Sequence, residues 1–182
     1  LIRLAGWCGR FTPWTALDPV GLGEEPDGIL LDITGCAHLF GGEAALLGEM
    51  RRRFAGFGFT ARIAIASTPG AAWALSRFGN EDECVLPEGC EVDALRPLPV
   101  AALRLSADQV DGLIRLGLKR VGDLYGRPRA PLTARFGAGL SRRLDEALGA
   151  APEPISPARP PVPFRASLAF AEALTRQAHI LD

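Results

Sequence analysis

The pattern of apolar residues changes near residue 96, and this change constrains the fold more than any other feature of the 182-residue chain. Before it, short apolar segments typical of β-strands alternate with helical segments. After it, the chain reads as short helical segments separated by glycines. The sequence therefore predicts an α+β protein with an α/β part, residues 1–95, followed by a small all-helical part, residues 96–150.

The first part contains segments whose composition favours strands and segments whose periodicity favours helices. Strands are predicted over 11–18, 28–34 and 59–67, and the short link between the first two favours an antiparallel hairpin. Helices are predicted over 41–58, with Leu46, Leu47, Met50, Phe54 and Phe57 on one face, and over 67–79. The elements together indicate a mixed or antiparallel sheet covered by helices.

The second part begins with a strong helix signal. Ser106 and Gln109 have the spacing of a capping box, and Gly117 ends the helix that follows. Three further short helices are predicted in "VGDLYG", "APLTARFG" and "LSRRLDEALG". The proline-rich segment 151–163 predicts an extended linker, and residues 164–182 begin a further element.

The charge of the chain is divided unevenly between its halves. Residues 1–95 hold 7 arginines and 13 acids, a net of −6, whereas residues 96–182 hold 13 basic residues and 8 acids, a net of +5. A basic half favours a polyanionic partner. A membrane-length apolar run and a secretory leader are both missing from the pattern, which predicts a cytoplasmic location. Leu1 falls within a helical pattern, so a piece of a longer protein is expected.

Three segments carry a resemblance to a known family: "DGILLDITGCAHLFGGE", "ARIAIASTPGAAWALSRFG" and "LIRLGLKRVGDL". They occur in the same order as in Y-family (DinB/ImuB/UmuC-like) translesion DNA polymerases, and their residues most resemble those of the non-catalytic ImuB branch. The resemblance implies a partial polymerase palm at 1–95 and a helix-hairpin-helix-like thumb at 96–150. Residues 164–182 would then begin a little-finger-like domain after the linker.

The resemblance also shows where the catalytic pattern has changed. The S-x-D-E tetrad of active members falls on residues 25–28, so that Asp27 keeps the aspartate and Gly28 replaces the glutamate. Two-metal phosphoryl transfer needs several carboxylate oxygens around ions about 3.5–4 Å apart. Asp27 is therefore at most a vestigial metal ligand, no residue is assigned a catalytic role, and no cofactor is expected. Mg²⁺ would be needed if the chain were an active polymerase.

A second change affects the nucleotide site. Active members carry lysines in the helix after the third strand, where they contact the triphosphate, and the second lysine falls on Trp73. An indole cannot neutralise phosphate charge. Together with Gly28, this change favours a non-catalytic protein over an active DNA-directed DNA polymerase.

The thumb resemblance implies sequence-independent DNA binding. Helix-hairpin-helix modules bind phosphates through backbone N–H groups at a glycine hairpin, and basic side chains add attraction. Here Leu103-Arg104-Leu105 replaces one glycine hairpin of the family, whereas the turn at 116–120 matches the family well. The predicted DNA-binding residues are Arg104, Arg115, Gly117, Lys119, Arg120, Arg142 and Arg143.

Three functions remain open at this point. The first is a DNA-binding and assembly subunit of damage-induced (SOS) translesion synthesis at the bacterial nucleoid. Its implied partners are damaged or primer-template DNA, a RecA-like ImuA protein, an error-prone DnaE-type polymerase and, through segments beyond the thumb, the sliding clamp. The second is an active Y-family polymerase, and the third is a protein-interaction scaffold without DNA binding.

Overall fold

The computed structural model describes residues 1–18 and 26–157, and within them the predicted α+β class is confirmed. The predicted little-finger-like start at 164–182 and the end of the linker lie outside the described residues. No helix in the described ranges is long and apolar enough to cross a membrane. The helices are α1 (Ile2–Cys8), α2 (Glu43–Gly56), α3 (Pro69–Phe78), α4 (Glu91–Leu95), α5 (Ala107–Arg115), α6 (Arg129–Phe136) and α7 (Ala138–Ala147), and the strands are β1 (Trp14–Leu17), β2 (Ile29–Asp32), β3 (Ile63–Ile65) and β4 (Glu83–Val85).

The predicted hairpin is present. Strands β1 and β2 pair antiparallel, with Trp14 opposite Asp32 and Leu17 opposite Ile29. Beyond the last pair, the N–H of Asp18 donates to the backbone oxygen of Gly28 at 3.0 Å. This bond holds Asp18 and Gly28 side by side at the end of the hairpin where the two strands connect.

The third predicted strand is shorter than expected, and its partner was not predicted. Strand β3 pairs in parallel with β4, which follows α3. The acidic run before β4 hid this strand, because acidic residues are depleted in strands. In the described ranges the strands form two separate pairs rather than one sheet. Strands β2 and β3 both line a cleft of about 1700 Å³.

The first apolar cluster lies around α1 and α2. Leu46, Leu47, Met50 and Phe54 form the buried face of α2, as the periodicity predicted. The prediction was wrong for Phe57, which is 54% exposed because α2 ends at Gly56. The ring of Phe57 instead makes an edge contact with the Trp7 ring, with the centroids 4.9 Å apart.

The second apolar cluster joins α3 to the helical part. Ala71, Ala74 and Leu75 pack with core leucines from beyond residue 95, namely Leu98, Leu103, Leu113, Leu118, Leu124, Leu132, Leu140 and Leu144. The cluster therefore crosses the boundary between 1–95 and 96–150, and the division of the chain into these domains stays a prediction.

Helices α3 and α7 approach each other closely. Thr68 caps α3 by accepting the N–H of Ala71 at 3.0 Å, and its hydroxyl donates to the backbone oxygen of Ala147 at 2.9 Å. A Cβ added at Gly70 would lie 2.9 Å from the Cα of Ala147. The absence of a side chain at Gly70 is therefore what permits this contact.

The short helices of the second part follow the predicted pattern. Ser106 and Gln109 form a complete capping box at the start of α5, and Gly117 follows α5 with φ +79°. The predicted helix in "VGDLYG" is a 3₁₀ helix over Val121–Leu124. Leu140 and Leu144 of α7 are buried, as their four-residue spacing predicted.

We expect Gly70→Ala to lower the free energy of unfolding by about 1–3 kcal/mol, because the new methyl group forces α3 away from α7. Urea denaturation measures the change. The matched control is Gly48→Ala on α2, where a Cβ meets nothing within 4 Å and the substitution should stabilise by about 0.5–1 kcal/mol. Equal effects at both positions would contradict the close packing at Gly70.

Candidate functional site

A buried carboxylate lines the cleft at the connected end of the hairpin. Asp18 is 1% exposed and directly follows β1. Its Oδ2 accepts a hydrogen bond from Nε1 of Trp73 at 2.6 Å and another from Nη2 of Arg77 at 2.8 Å. Both donors belong to α3, so this single carboxylate fixes the hairpin to that helix.

Arg77 contacts a second carboxylate as well. The same Nη2 atom donates to Oδ1 of Asp27, whose side chain is 69% exposed. The guanidinium also lies over the Trp73 ring, 4.5 Å from its centroid, in a cation–π contact. Arg77 therefore holds Asp18 and Asp27 together from one side of the cleft.

Gly28 leaves the space in which this arginine lies. A Cβ built at Gly28 would be 3.1 Å from Nη2 of Arg77 and 3.3 Å from the Cβ and Oδ2 of Asp18. These distances are tighter than ordinary van der Waals contact. A larger side chain at position 28 would have to displace the guanidinium or the aspartate.

The residues around the cleft do not fit the Mg²⁺ ions that the family pattern implies. Mg²⁺ binds through carboxylates and phosphates in octahedral geometry, but the two aspartates here already share a cation. The described ranges hold no group of three or more His, Cys, Asp or Glu residues that could bind a metal. The arginines lining the described cleft are Arg77 and Arg62, and the latter donates to the backbone oxygens of Gly79 and Glu81.

A second series of ion pairs continues along the cleft toward α7. Arg104 contacts Glu153 at 2.6 Å, and Glu153 also contacts Arg143 at 3.0 Å. Arg143 and Arg142 both contact Glu146, which is 1% exposed, at 3.3 and 2.6 Å. The carboxylate of Glu153 thereby attaches the first residues of the proline-rich segment to the helical part.

The structure gives three of the predicted DNA-binding residues internal partners. The side chain of Arg104 is 7% exposed and contacts Glu153. In this orientation its guanidinium is directed to Glu153 and not to a phosphate in solvent. Arg143 is shared between two glutamates. Arg142 remains 75% exposed, and its hydrogen bond to Glu146 raises the pKa of its guanidinium.

The other four predicted residues lie at the end of α5 and in the turn that follows it. Arg115, Gly117, Lys119 and Arg120 are exposed, and the three basic side chains have no carboxylate within salt-bridge distance in the described ranges. The turn thus presents three cations to solvent on a small surface.

The backbone N–H groups of this turn are already bonded. Gly117 donates to the oxygen of Ile114, while the N–H groups of Lys119 and Arg120 both donate to Oδ2 of Asp123, at 2.9 and 2.8 Å. A phosphate at this turn would therefore meet side chains rather than the free backbone donors that the motif predicted.

Known proteins resemble the chain over nearly its whole length. It is 49% identical over 96% of its residues to Protein ImuB from two strains of Caulobacter vibrioides, NA1000 / CB15N and ATCC 19089 / CIP 103742 / CB 15. The resemblance to the ImuB branch is confirmed. DNA polymerase IV 2 of Mesorhizobium japonicum is 28% identical over 65% of the chain and 29% of that polymerase's length. The chain spans 37% of the length of the two ImuB proteins. No family model matches it.

Sequence reasoning missed two residues of this ImuB-like cleft, Asp18 and Arg77. The family pattern directed attention to residues 25–28 and to Trp73. Asp18 lies outside the segments that resemble the family, and Arg77 lies within one of them but was given no role. A signal was available, because Asp18 closes a predicted strand opposite Gly28 and Arg77 lies one helical turn after Trp73.

Asp123 gives this ImuB-like turn a pH dependence. Its pKa is lowered from the ordinary value of 3.8 by the N–H of Arg120 and then by that of Lys119. A depressed folded pKa contributes stability above the unfolded pKa, and this contribution is lost as the pH falls through the folded pKa. We expect the wild type to lose stability relative to Asp123→Asn below pH 3.8, as measured by urea midpoints from neutral to acid pH. The exposed Asp111→Asn is the control, and the same profile in both variants would contradict the assignment.

Proposed function

We propose that the chain is the DNA-binding and assembly part of a non-catalytic, Y-family-like protein of damage-induced translesion synthesis. The observation that carries the non-catalytic part is the Arg77 contact with both Asp18 and Asp27. The positive charge of Arg77 lies where it would repel a metal ion bound to these carboxylates, while Trp73 supplies no charge for a triphosphate. The similarity to Protein ImuB supports the other part of the proposal, a Y-family-like protein of the DNA damage response.

The DNA-binding part of the proposal rests on the exposed turn. Arg115, Lys119 and Arg120 are the predicted cations that keep their charge open to solvent. Side-chain contacts of this kind bind phosphates without reading sequence, and salt weakens them by restoring counterions. Arg104 and Arg143 are left out of the proposed surface because they neutralise Glu153.

The rest of the proposed role concerns the whole protein. We propose that it works in the bacterial cytoplasm at the nucleoid, with a RecA-like ImuA protein and an error-prone DnaE-type polymerase that performs the synthesis. Contact with the sliding clamp is assigned to segments beyond the thumb. These partners follow from the family resemblance, since the described surface gives no separate argument for them.

We expect Lys119→Glu with Arg120→Glu to weaken binding to primer-template DNA about tenfold or more at low salt. The plot of log affinity against log salt concentration has a negative slope, and its magnitude should decrease by about 1–2 because two phosphate contacts are lost. Fluorescence anisotropy across a salt series measures both quantities. The matched control is Arg51→Glu with Arg52→Glu on the exposed face of α2, which makes the same change in charge. Equal loss in both double variants would mean that the turn is not the contact.

The same titration tests the scaffold alternative, which the bonded N–H groups of the turn favour. If the folded wild type shows no change in anisotropy with primer-template DNA even at low salt, the DNA-binding part of the proposal is wrong. Circular dichroism on the same samples establishes that the protein is folded.

The polymerase alternative predicts nucleotide addition, whereas the proposed function predicts none. We expect full-length protein to extend no primer with Mg²⁺ or Mn²⁺, because the cleft cannot hold a metal-bound triphosphate. The control is Asp27→Ala, whose trace activity should equal that of the wild type if both reflect contamination. Extension by the wild type that disappears in Asp27→Ala would support the polymerase alternative.

A further inference from the structure

We propose that Arg77 is a built-in counter-ion of the cleft, which takes the place between Asp18 and Asp27 that a divalent cation would otherwise take. The inference deepens the non-catalytic part of the proposed function and rests on it. Gly28 and Trp73, where the family pattern has a carboxylate and a lysine, then both help to hold Arg77 in place.

The side chain of Asp18 is 1% exposed. Burial of a carboxylate is costly unless a cation pairs with it and hydrogen bonds reach it. Arg77 supplies the cation at 2.8 Å, and Trp73 supplies a second donor at 2.6 Å. Because Nη2 of Arg77 also reaches Asp27, one guanidinium bridges two carboxylates, as a metal ion does in a two-carboxylate site.

The backbone of Gly28 lies close to both Arg77 and Asp18. A Cβ atom at this position would lie 3.1 Å from Nη2 of Arg77 and 3.3 Å from Oδ2 of Asp18. The position of Gly28 does not require a positive φ, so a turn gives no reason for glycine here. We infer that glycine is present at this position because it admits Arg77.

The guanidinium of Arg77 lies 4.5 Å from the centroid of the Trp73 ring. The indole N–H of Trp73 donates to Oδ2 of Asp18, whose Oδ1 has no hydrogen-bond partner among the described residues. A lysine at position 73 would place a second cation beside Arg77, where like charges repel. Gly28 thus leaves space for Arg77, and Trp73 offers it a ring face. A larger side chain at position 28 would crowd the guanidinium, and a lysine at position 73 would repel it.

The test compares the wild type, Arg77→Met and the double variant Asp18→Asn/Arg77→Met, with Arg52→Met as the control for loss of an exposed, paired arginine. Mn²⁺ alone is the probe, because electron paramagnetic resonance counts free and bound Mn²⁺ directly. Urea unfolding of each protein is measured with and without Mn²⁺. All proteins are used as the full chain.

We expect the wild type and Arg52→Met to bind no Mn²⁺ at about 0.1 mM, far below the concentration at which isolated surface carboxylates bind. Arg77→Met should shift the folded-to-unfolded ratio about 10- to 100-fold toward the unfolded state, since an uncompensated buried carboxylate remains. Mn²⁺ should bind this variant and reverse part of the shift. Asp18→Asn should restore most of the stability of Arg77→Met and abolish its Mn²⁺ binding.

Three results would overturn the inference. The first is Mn²⁺ binding by the wild type that equals that of Arg77→Met, since the site would then accept metal despite Arg77. The second is an unchanged stability in Arg77→Met. The third is failure of both Arg77→Met and the double variant to fold, because the role of Arg77 would then be packing rather than charge. DNA anisotropy and primer extension are measured separately, so failure of the proposed function is distinguishable from each of these results.

Discussion

The contact on which the rest of the cleft depends is the one between the buried Asp18 carboxylate and Arg77. Asp18 belongs to the β1–β2 hairpin, whereas Arg77 belongs to α3, so their contact joins elements 59 residues apart in the chain. Helix α3 is also part of the second apolar cluster, through Ala71, Ala74 and Leu75. One ion pair thereby connects the hairpin to the core of the helical part.

The charges of the cleft and those of the turn after α5 have different environments, and this difference separates two roles. In and beside the cleft, four arginines and four acids pair with one another: Arg77, Arg104, Arg142 and Arg143 with Asp18, Asp27, Glu146 and Glu153. The buried Asp18 and Glu146 need such partners because desolvation of a charge is costly. At the turn, the cations remain exposed and keep a long-range attraction for a polyanion. The ion pairs in and beside the cleft thus hold elements of the fold together, whereas the exposed cations of the turn form a surface available to a polyanion.

Local patterns predicted the elements whose structure is decided by a few neighbouring residues. The buried face of α2 and the capping box at Ser106 depend on neighbours within a few positions, and the hairpin joins two strands that follow each other in the chain. Strand β4 was missed because its acidic start carries no strand signal, and its pairing depends on β3 across an intervening helix. The inward orientation of Arg104 was missed for a similar reason, since its partner Glu153 is 49 residues away. Sequence periodicity does not report partners at that distance.

Gly28 lies where the family pattern has a carboxylate, and the charges that remain around it must still be balanced. If glycine replaced a ligand and nothing else changed, Asp18 and Asp27 would lie close together without a cation, and their repulsion would weaken the hairpin contact with α3. The guanidinium of Arg77 removes that repulsion without any ligand from solution. The contact between the hairpin and α3 is then held by residues of the chain itself, without a metal ion or a nucleotide.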